Sequence, residues 1–313
     1  MIVYSPRYRI DLGLHVFPTE KYRLVYERLL AGGLDPSSVV EPAPAGWDEL
    51  ALVHTADYLA RMRDGTMTGD DIAQLELPWS REMVDGFRVM VGGTVEAALQ
   101  VSGLKSQVSR PSDFGLHTSD LRAAVHIGGG LHHAFPNHGE GFCPFNDVAV
   151  AIRVVQSRGV DRAAVIDLDV HHGNGTAFVF ESDPRVFTFS MHQQHNYPMW
   201  KPRSTLDIGL PDGAHDDTYL RELEGALPRV LADRPGCVFY LAGADPYEDD
   251  QLGGLRLTRE GLRQRDRLVF DAVRAANVPL VVTLAGGYAR RVDDTVAIHV
   301  ATIEEALARF RSG

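Results

Sequence analysis

The sequence has few cysteines, no excess of basic residues and no long apolar run, and each absence excludes a class of protein. Only Cys143 and Cys237 occur in 313 residues, so a disulfide framework does not hold this fold together. Lys and Arg number 31 against 42 Asp and Glu, and the resulting charge of −11 disfavours a nucleic-acid partner. The apolar runs at 163–166 and 280–282 fall far short of the roughly 20 residues that a membrane-spanning helix needs.

The first residues also lack the basic region and the apolar stretch of a secretory signal peptide. Together with the low cysteine content, this predicts a cytoplasmic protein that binds neither nucleic acid nor membrane. The composition does not indicate an oligomeric state.

Short apolar runs alternate with longer segments of helical periodicity, which is typical of an α/β fold with a parallel sheet between helices. Because a strand covered on both faces is apolar throughout, four such runs predict strands at 163–166, 186–189, 238–241 and 280–284. Helices are predicted at 20–31, 81–100, 146–158, 217–232, 258–276 and 293–310. No linker or repeat divides the chain, so we predict one domain over residues 1–313, with long irregular loops at 128–145 and 192–213.

The strongest motif is Asp-Leu-Asp-Val-His, which directly follows the first of these strands. Period-two geometry places Asp167, Asp169 and His171 on one side of the chain. Two carboxylates and an imidazole at the carboxyl end of a buried strand are suited to a divalent metal. Asp245 follows the 238–241 run in the same way and would complete a three-ligand site with an open position. A polar turn, with Asp245 capping the chain before Pro246, is the structural alternative.

Two further motifs carry groups that suit proton transfer. His132 and His133 follow three consecutive glycines, and adjacent histidines are useful when one is held neutral and the other charged. Tyr288 follows the last predicted strand, where a phenol is able to donate to an oxyanion. Taken alone, a His-His pair is more often a feature of a surface loop, and a tyrosine after a strand is more often a packing residue.

In this order and at these intervals, the motifs from His126 to Tyr288 resemble the histone deacetylase superfamily. The short chain, the opening Tyr-Ser-Pro-Arg-Tyr and the brief Gly-Gly-Tyr are most similar to the class IV branch and its bacterial relatives. The resemblance implies an arginase-deacetylase fold, which is a three-layer sandwich around a mainly parallel sheet of about eight strands. It also implies a zinc-dependent amide hydrolase.

The resemblance implies a role for each matching residue. It implies that zinc is bound by Asp169, His171 and Asp245, and our hypothesis is that the ion polarises the acyl carbonyl and a water. His133 is the general base, His132 is its electrostatic partner and Tyr288 is the oxyanion donor. The resemblance also implies that Asp167 orients His132 and that Asn174 lies beside His133, where some branches have Asp. It places Gly141 and Phe142 on the acyl-lysine channel, with Tyr197 opposite. It further implies a structural K⁺ held by Asp167, Asp169, His171, Ser190 and Met191.

The substrate stays open at this stage. Acylated lysine in a peptide or protein is one class and acylated polyamine is the other, and the acyl group ranges from acetyl to fatty acyl. The acidic residue that often holds a peptide at the channel mouth has no clear counterpart; the corresponding stretch is 76–79. A two-metal ureohydrolase and a non-catalytic acyl-amine binding module are less favoured, and for the former Glu248, Asp249 and Asp250 are predicted to form only a solvated turn.

The other histidines lack ligand spacing and are predicted to lie in the surface or in packing, except that His192 is a candidate for the pocket wall. The remaining set is His15, His54, His117, His138, His195, His215 and His299.

Overall fold

Eight strands form one parallel sheet in the computed structural model, which describes residues 1–104 and 121–310. The strands are β1 (Ile2–Val3), β2 (Val39–Val40), β3 (Ala123–His126), β4 (Ala163–Asp167), β5 (Val186–Gln193), β6 (Leu206–Leu210), β7 (Cys237–Leu241) and β8 (Leu280–Thr283). Their spatial order is β2-β1-β3-β8-β7-β4-β5-β6, and each neighbouring pair is parallel.

Helices cover both faces of the sheet. Every residue of β3, β4, β7 and β8 is therefore buried. They are α1 (Glu20–Ala31), α2 (Trp47–Leu50), α3 (Ala56–Asp64), α4 (Gly69–Leu75), α5 (Arg81–Val101), α6 (Asp147–Ser157), α7 (Asn174–Phe180), α8 (Asp216–Leu231), α9 (Arg259–Ala276) and α10 (Val292–Phe310). Helix α5 packs against α6, while α9 packs against α8 and α10, and α10 also contacts α1. The predicted three-layer α/β sandwich is confirmed.

The predicted strands and helices are confirmed to within a few residues. The elements that were not predicted are β1, β2, β3, β6, α2, α3, α4 and α7. Strand β5 extends four residues beyond the predicted 186–189 and reaches Gln193. The expectation of an irregular loop at 192–213 was wrong in part, because β6 lies inside it and pairs with β5. β6 alternates buried and exposed residues as an edge strand does, so it lacks the continuous apolar character that marked the central strands.

The four central strands β3, β8, β7 and β4 lie side by side, and each is followed by one of the motifs singled out in the sequence. Parallel strands end at the same edge of a sheet, so the four loops meet there. In the described residues no helix is both long and apolar enough to cross a membrane. His117 lies outside the described residues.

Candidate metal and catalytic site

Asp169, His171 and Asp245 each bring a ligand atom to within 4.8 Å of the others, and all three are buried. His171 Nδ1 lies 3.0 Å from Asp169 Oδ1 and 3.5 Å from Asp245 Oδ2. Asp245 Oδ2 is buried without a hydrogen-bond partner among the described residues. Because an unpaired buried carboxylate oxygen is costly, this donor set fits a divalent cation that accepts oxygen and imidazole ligands.

Backbone N–H groups hold the two carboxylates in place. Asp169 accepts from His171 N at Oδ1 (3.0 Å) and from Gly286 N at Oδ2 (2.8 Å). Asp245 Oδ1 accepts from Val170 N over 3.0 Å. These bonds join the loops that follow β4, β7 and β8, so the relative positions of the carboxylates are set by the sheet.

Two glycines allow the loops to approach the carboxylates this closely. A Cβ atom at Gly286 would overlap Asp245 Oδ2, and one at Gly243 would lie 2.8 Å from Asp245 Oδ1 and 2.9 Å from Asp169 Oδ2. Real Cβ atoms essentially never come within 3.0 Å of other heavy atoms, so any side chain at either position would displace the carboxylates.

His132 and His133 lie beside this group, in a chain of hydrogen bonds. His132 Nδ1 is 2.7 Å from Asp167 Oδ2, and its Nε2 is 3.0 Å from His133 Nε2. His133 Nδ1 is 2.7 Å from Asn174 Oδ1. The structure therefore brings together all four of these residues in the pairing that the resemblance implied.

The two imidazoles have different surroundings, which shift their pKa values in opposite directions. Burial lowers the pKa of His132, but the carboxylates of Asp167 and Asp169 outweigh it and raise that pKa to about 9. Burial, followed by the charges of His132 and His171, lowers the pKa of His133 well below its usual value. A charged imidazole next to a neutral one is the division that a general base and its electrostatic partner require.

Asp147, the first residue of α6, anchors the loop that carries the two histidines. Its carboxylate accepts from Gly130 N (3.0 Å) and Leu131 N (2.7 Å) and also from Thr94 Oγ1. Sequence reasoning assigned no role to Asp147. The signal that could have found it is its place directly after the N-cap residue Asn146, where a buried helix start faces the glycine loop.

A pocket reaches the candidate metal ligands from the surface and has aromatic walls. Phe142, Gly141 and Tyr288 line it, together with Phe17. The Phe142 ring lies 6.2 Å from that of Phe17 and 6.1 Å from that of Tyr288. Its backbone has φ of +66°, a left-handed conformation that is strained for a residue with a Cβ atom.

Tyr197, which was expected opposite Phe142 in the channel, is not among the described residues that line this pocket; it lies behind two of them, His133 and Gly141. Its ring centroid is 5.0 Å from that of His133 and 6.2 Å from that of His171. A Cβ atom on Gly141 would lie 3.0 Å from Tyr197 Cε1, so this tyrosine packs directly on the Gly141 backbone.

Tyr288 is fixed at its backbone by Asp250, and here the sequence expectation was wrong. Asp250 is not part of a solvated turn: it is buried and accepts from the backbone N–H groups of Tyr288 (2.7 Å), Leu252 (2.8 Å) and Gly253 (3.0 Å). Glu248 alone of the three acids is exposed. Burial, followed by the charges of Asp169 and Asp245, raises the pKa of Tyr288 well above 10, so its phenol keeps its proton.

A buried cation that the sequence analysis missed lies under the same loop. Lys21, on α1, is fully buried and its Nζ donates to the carbonyl oxygen of Ala285 over 2.9 Å. Nζ also lies 5.4 Å from the centroid of the Tyr288 ring. Burial lowers the pKa of Lys21 to about 8, against the opposing effects of Asp245, Asp169 and Asp250. A lone lysine in an amphipathic helix reads as a solvated residue, so no local pattern pointed to it.

The residues implied for K⁺ lie at the junction of β4 and β5. Asp167 is the register partner of Ser190, and Met191 is the next residue of β5. The side chain of Asp167 accepts from Asp169 N over 3.2 Å.

His192 does not line the pocket, which corrects one option left open by the sequence. It lies with His172 and Asp207 in a second cluster: the two imidazole centroids are 4.7 Å apart, and His172 Nε2 is 3.2 Å from Asp207 Oδ1. Because β5 side chains alternate between faces, His192 points to the same side as Ser190 and bonds to its Oγ (3.0 Å).

Comparison with known proteins agrees with the geometry. The model of the histone deacetylase domain matches residues 15–303. An uncharacterised protein of Picosynechococcus sp. is 41% identical over 95% of both chains, and histone deacetylase 2 of Arabidopsis thaliana is 31% identical over 92% of this chain and 74% of its own.

A solved structure shares the fold at lower sequence identity. The crystal structure of the HDA15 HD domain superposes with a TM-score of 0.79 at 22% identity, covering 99% of this chain and 92% of that one. The family match spans all four motif loops and the strands that carry them. The chain belongs to the histone deacetylase domain family and is a deacetylase-type enzyme.

Proposed function

We propose that this chain is a zinc-dependent hydrolase that removes acyl groups from lysine side chains or related linear amines. One observation carries the proposal: Asp169, His171 and Asp245 converge beside His132 and His133 at the end of a pocket that Tyr288 also lines. Zn²⁺ would be held by the first three residues, and when bound it supplies Lewis-acid activation of the acyl carbonyl and of a water molecule.

The other residues handle the protons. His133 has its Nδ1 engaged with Asn174, so its Nε2 is the atom that accepts a proton from the attacking water. His132, bonded to Asp167, stays charged beside it and stabilises negative charge that develops on the substrate. Tyr288 keeps its phenolic proton and donates it in a hydrogen bond to the oxyanion.

The aromatic walls suit the neutral, aliphatic stem of an acyl-lysine side chain. Phe142 and Phe17 supply apolar surface, while Tyr197 packs against His133 and supports that side of the site. A structural K⁺ at Asp167, Asp169, His171, Ser190 and Met191 belongs to the same proposal. A cytoplasmic location is part of the proposal as well, and the low cysteine content supports it.

The two-metal alternative is less well supported by the side chains around the ligands. A ureohydrolase needs additional bridging carboxylates, and Asp250, the nearest buried acid after Asp245, already accepts three backbone N–H bonds. Its oxygens are committed to holding the Tyr288 loop.

The test is a panel of acyl-lysine peptides, from acetyl to fatty acyl, and of acetylpolyamines, assayed with and without chelator. We expect hydrolysis that chelator removes and zinc restores, with one ion per chain. Faster turnover of acetylpolyamines would assign the second substrate class. Two ions per chain that both depend on Asp245, and neither on Asp207 of the second cluster, would favour the ureohydrolase, and binding without turnover would favour the binding module.

A further inference from the structure

Glu140 lies behind the histidine pair and collects hydrogen bonds from four side chains. Its Oε1 accepts from Asn174 Nδ2 (2.6 Å) and Tyr197 Oη (3.1 Å). Its Oε2 lies 3.3 Å from His138 Nε2 and 3.4 Å from Gln74 Nε2. The side chain is only 14% exposed. No sequence motif and no step of the proposed function uses it.

The chemistry of the carboxylate fixes the orientation of Asn174. An ionised carboxylate only accepts hydrogen bonds, so Asn174 must turn its NH₂ group toward Glu140. Its carbonyl oxygen then faces His133 Nδ1, 2.7 Å away. That nitrogen must therefore carry the proton, which leaves Nε2 of His133 as the acceptor.

This arrangement answers a difficulty that Asn174 creates. An amide fixes a ring but carries no charge to stabilise the imidazolium that forms when His133 takes a proton. Glu140 supplies a negative charge one hydrogen bond further back. Burial raises the pKa of Glu140, but its hydrogen bonds with His138, Asn174 and Tyr197 outweigh burial and lower it, so the group stays ionised.

We propose that Glu140 is a positioning residue for acyl-amide hydrolysis: through Asn174 it holds His133 in the Nδ1–H tautomer, and through Tyr197 it fixes the aromatic ring that packs against His133. This inference rests on the proposed function for its catalytic consequence. The tautomer of His133 is a property of the resting enzyme, so that part of the inference does not depend on the proposed function.

The first experiment exchanges the charge between two positions. Glu140→Gln keeps the size of the side chain but allows its NH₂ to face Asn174, which turns the Asn174 amide over and favours the wrong tautomer. We expect kcat for an acyl-lysine peptide to fall about 10- to 100-fold, in the range typical of groups that orient a catalytic histidine. Asn174→Asp places a second carboxylate against Glu140 and should also lower kcat.

The double variant Glu140→Gln with Asn174→Asp should recover activity relative to both single variants. In it, Asp accepts from His133 Nδ1, and Gln donates to Asp, so the chain of bonds is complete again. Such rescue is a non-additive coupling that a merely structural role would not produce. Gln74→Ala removes the longest and most exposed contact to Glu140 and serves as the control, with kcat expected within about twofold of wild type.

The second experiment needs no substrate. Long-range ¹H–¹⁵N NMR of the zinc-loaded protein reports which ring nitrogen of His133 carries the proton, and the signal is assigned by its loss in His133→Gln. We expect Nδ1–H in wild type and a change in Glu140→Gln. An Nε2–H tautomer in wild type, or an unchanged kcat in a folded Glu140→Gln protein, would overturn the proposal, as would additive effects in the double variant. If wild type hydrolyses no acyl amine, the proposed function fails, while the NMR result still decides the role of Glu140.

Discussion

Lys21 and Ala285 are joined by a hydrogen bond from Nζ to the carbonyl oxygen, although 264 positions separate them in the chain. Ala285 has φ of +52°, so the turn between β8 and Tyr288 has a backbone conformation that alanine rarely adopts. The buried ammonium group satisfies the carbonyl of this turn. A residue of the first helix thereby supports the loop that carries the candidate oxyanion donor.

Replacing Lys21 with Met should therefore loosen this loop. The carbonyl of Ala285 would lose its buried partner, and we expect the free energy of unfolding to fall by about 1–3 kcal/mol. Turnover should fall as well, because Tyr288 is three residues away. Urea unfolding and steady-state kinetics measure the two effects.

Arg23→Met, on the same helix, is the matched control for Lys21. Arg23 forms only partly exposed ion pairs with Glu20 and Glu27, so its loss should cost less than about 1 kcal/mol. Equal effects of the two substitutions would contradict a specific role for the buried lysine.

Tyr288→Phe tests the oxyanion donor. Removing one such donor typically lowers turnover about 100- to 1000-fold, while the metal content and the fold should stay as in wild type. Steady-state kinetics with the best substrate of the panel, alongside metal analysis, gives both readouts. Tyr26→Phe, which alters a tyrosine stacked on Tyr4 away from the pocket, is the control. Full activity in Tyr288→Phe would refute the assignment.

Asp245→Asn tests the metal ligands. The substitution removes the charge of one ligand and should reduce bound zinc well below one ion per chain, measured by elemental analysis after dialysis. Asp207→Asn is the matched control, because Asp207 belongs to the second cluster with His172 and His192. Zinc that disappears in Asp207→Asn and persists in Asp245→Asn would place the ion in the wrong cluster for the proposed function.

Glu305 gives the fold a pH dependence outside the active site. Burial raises the pKa of Glu305, but hydrogen bonds from Arg267 and Arg263 outweigh it and lower the pKa to about 2. A depressed pKa stabilises the fold at pH values above the unfolded value of about 4.3, and this contribution is lost as the pH falls toward 2.

Glu305→Gln should then lower the free energy of unfolding by roughly 2–3 kcal/mol at pH 6, since each unit of pKa corresponds to about 1.4 kcal/mol. The difference from wild type should shrink between pH 4.5 and 2. Urea unfolding across this range measures it, with the exposed neighbour Glu304→Gln as control. A difference independent of pH would show that packing, and not charge, is responsible.

Sequence reasoning found the residues that stand in a recognisable local sequence pattern. Asp169 and Asp245 each follow a continuous apolar run, and parallel strands end at one edge, so their meeting was predictable. Lys21, Asp147 and Asp250 were not predictable in this way. Each acts through contacts with residues far along the chain, and each stands in a local context where a solvated charge is the common outcome.

The same distinction holds for the fold. Helices α5, α9 and α10 have 18 or more residues, so their periodicity is clear. β1 and β2 have two residues each, too few to show any alternation, and they are defined by tertiary pairing: β1 pairs with the edge of β3, and β2 pairs with β1.

Atoms crowd closely around Gly243 and Gly286, and this crowding limits which positions of the enzyme can be substituted. A larger residue at either position would displace the carboxylates of Asp169 and Asp245, so we expect substitutions at these two glycines to disrupt the metal site. The outer rim is different: Leu14, next to the His15 ring that packs on Phe142, and Met199, close to Tyr197, are both fully exposed. Libraries aimed at acyl length or amine identity should therefore be built on the rim.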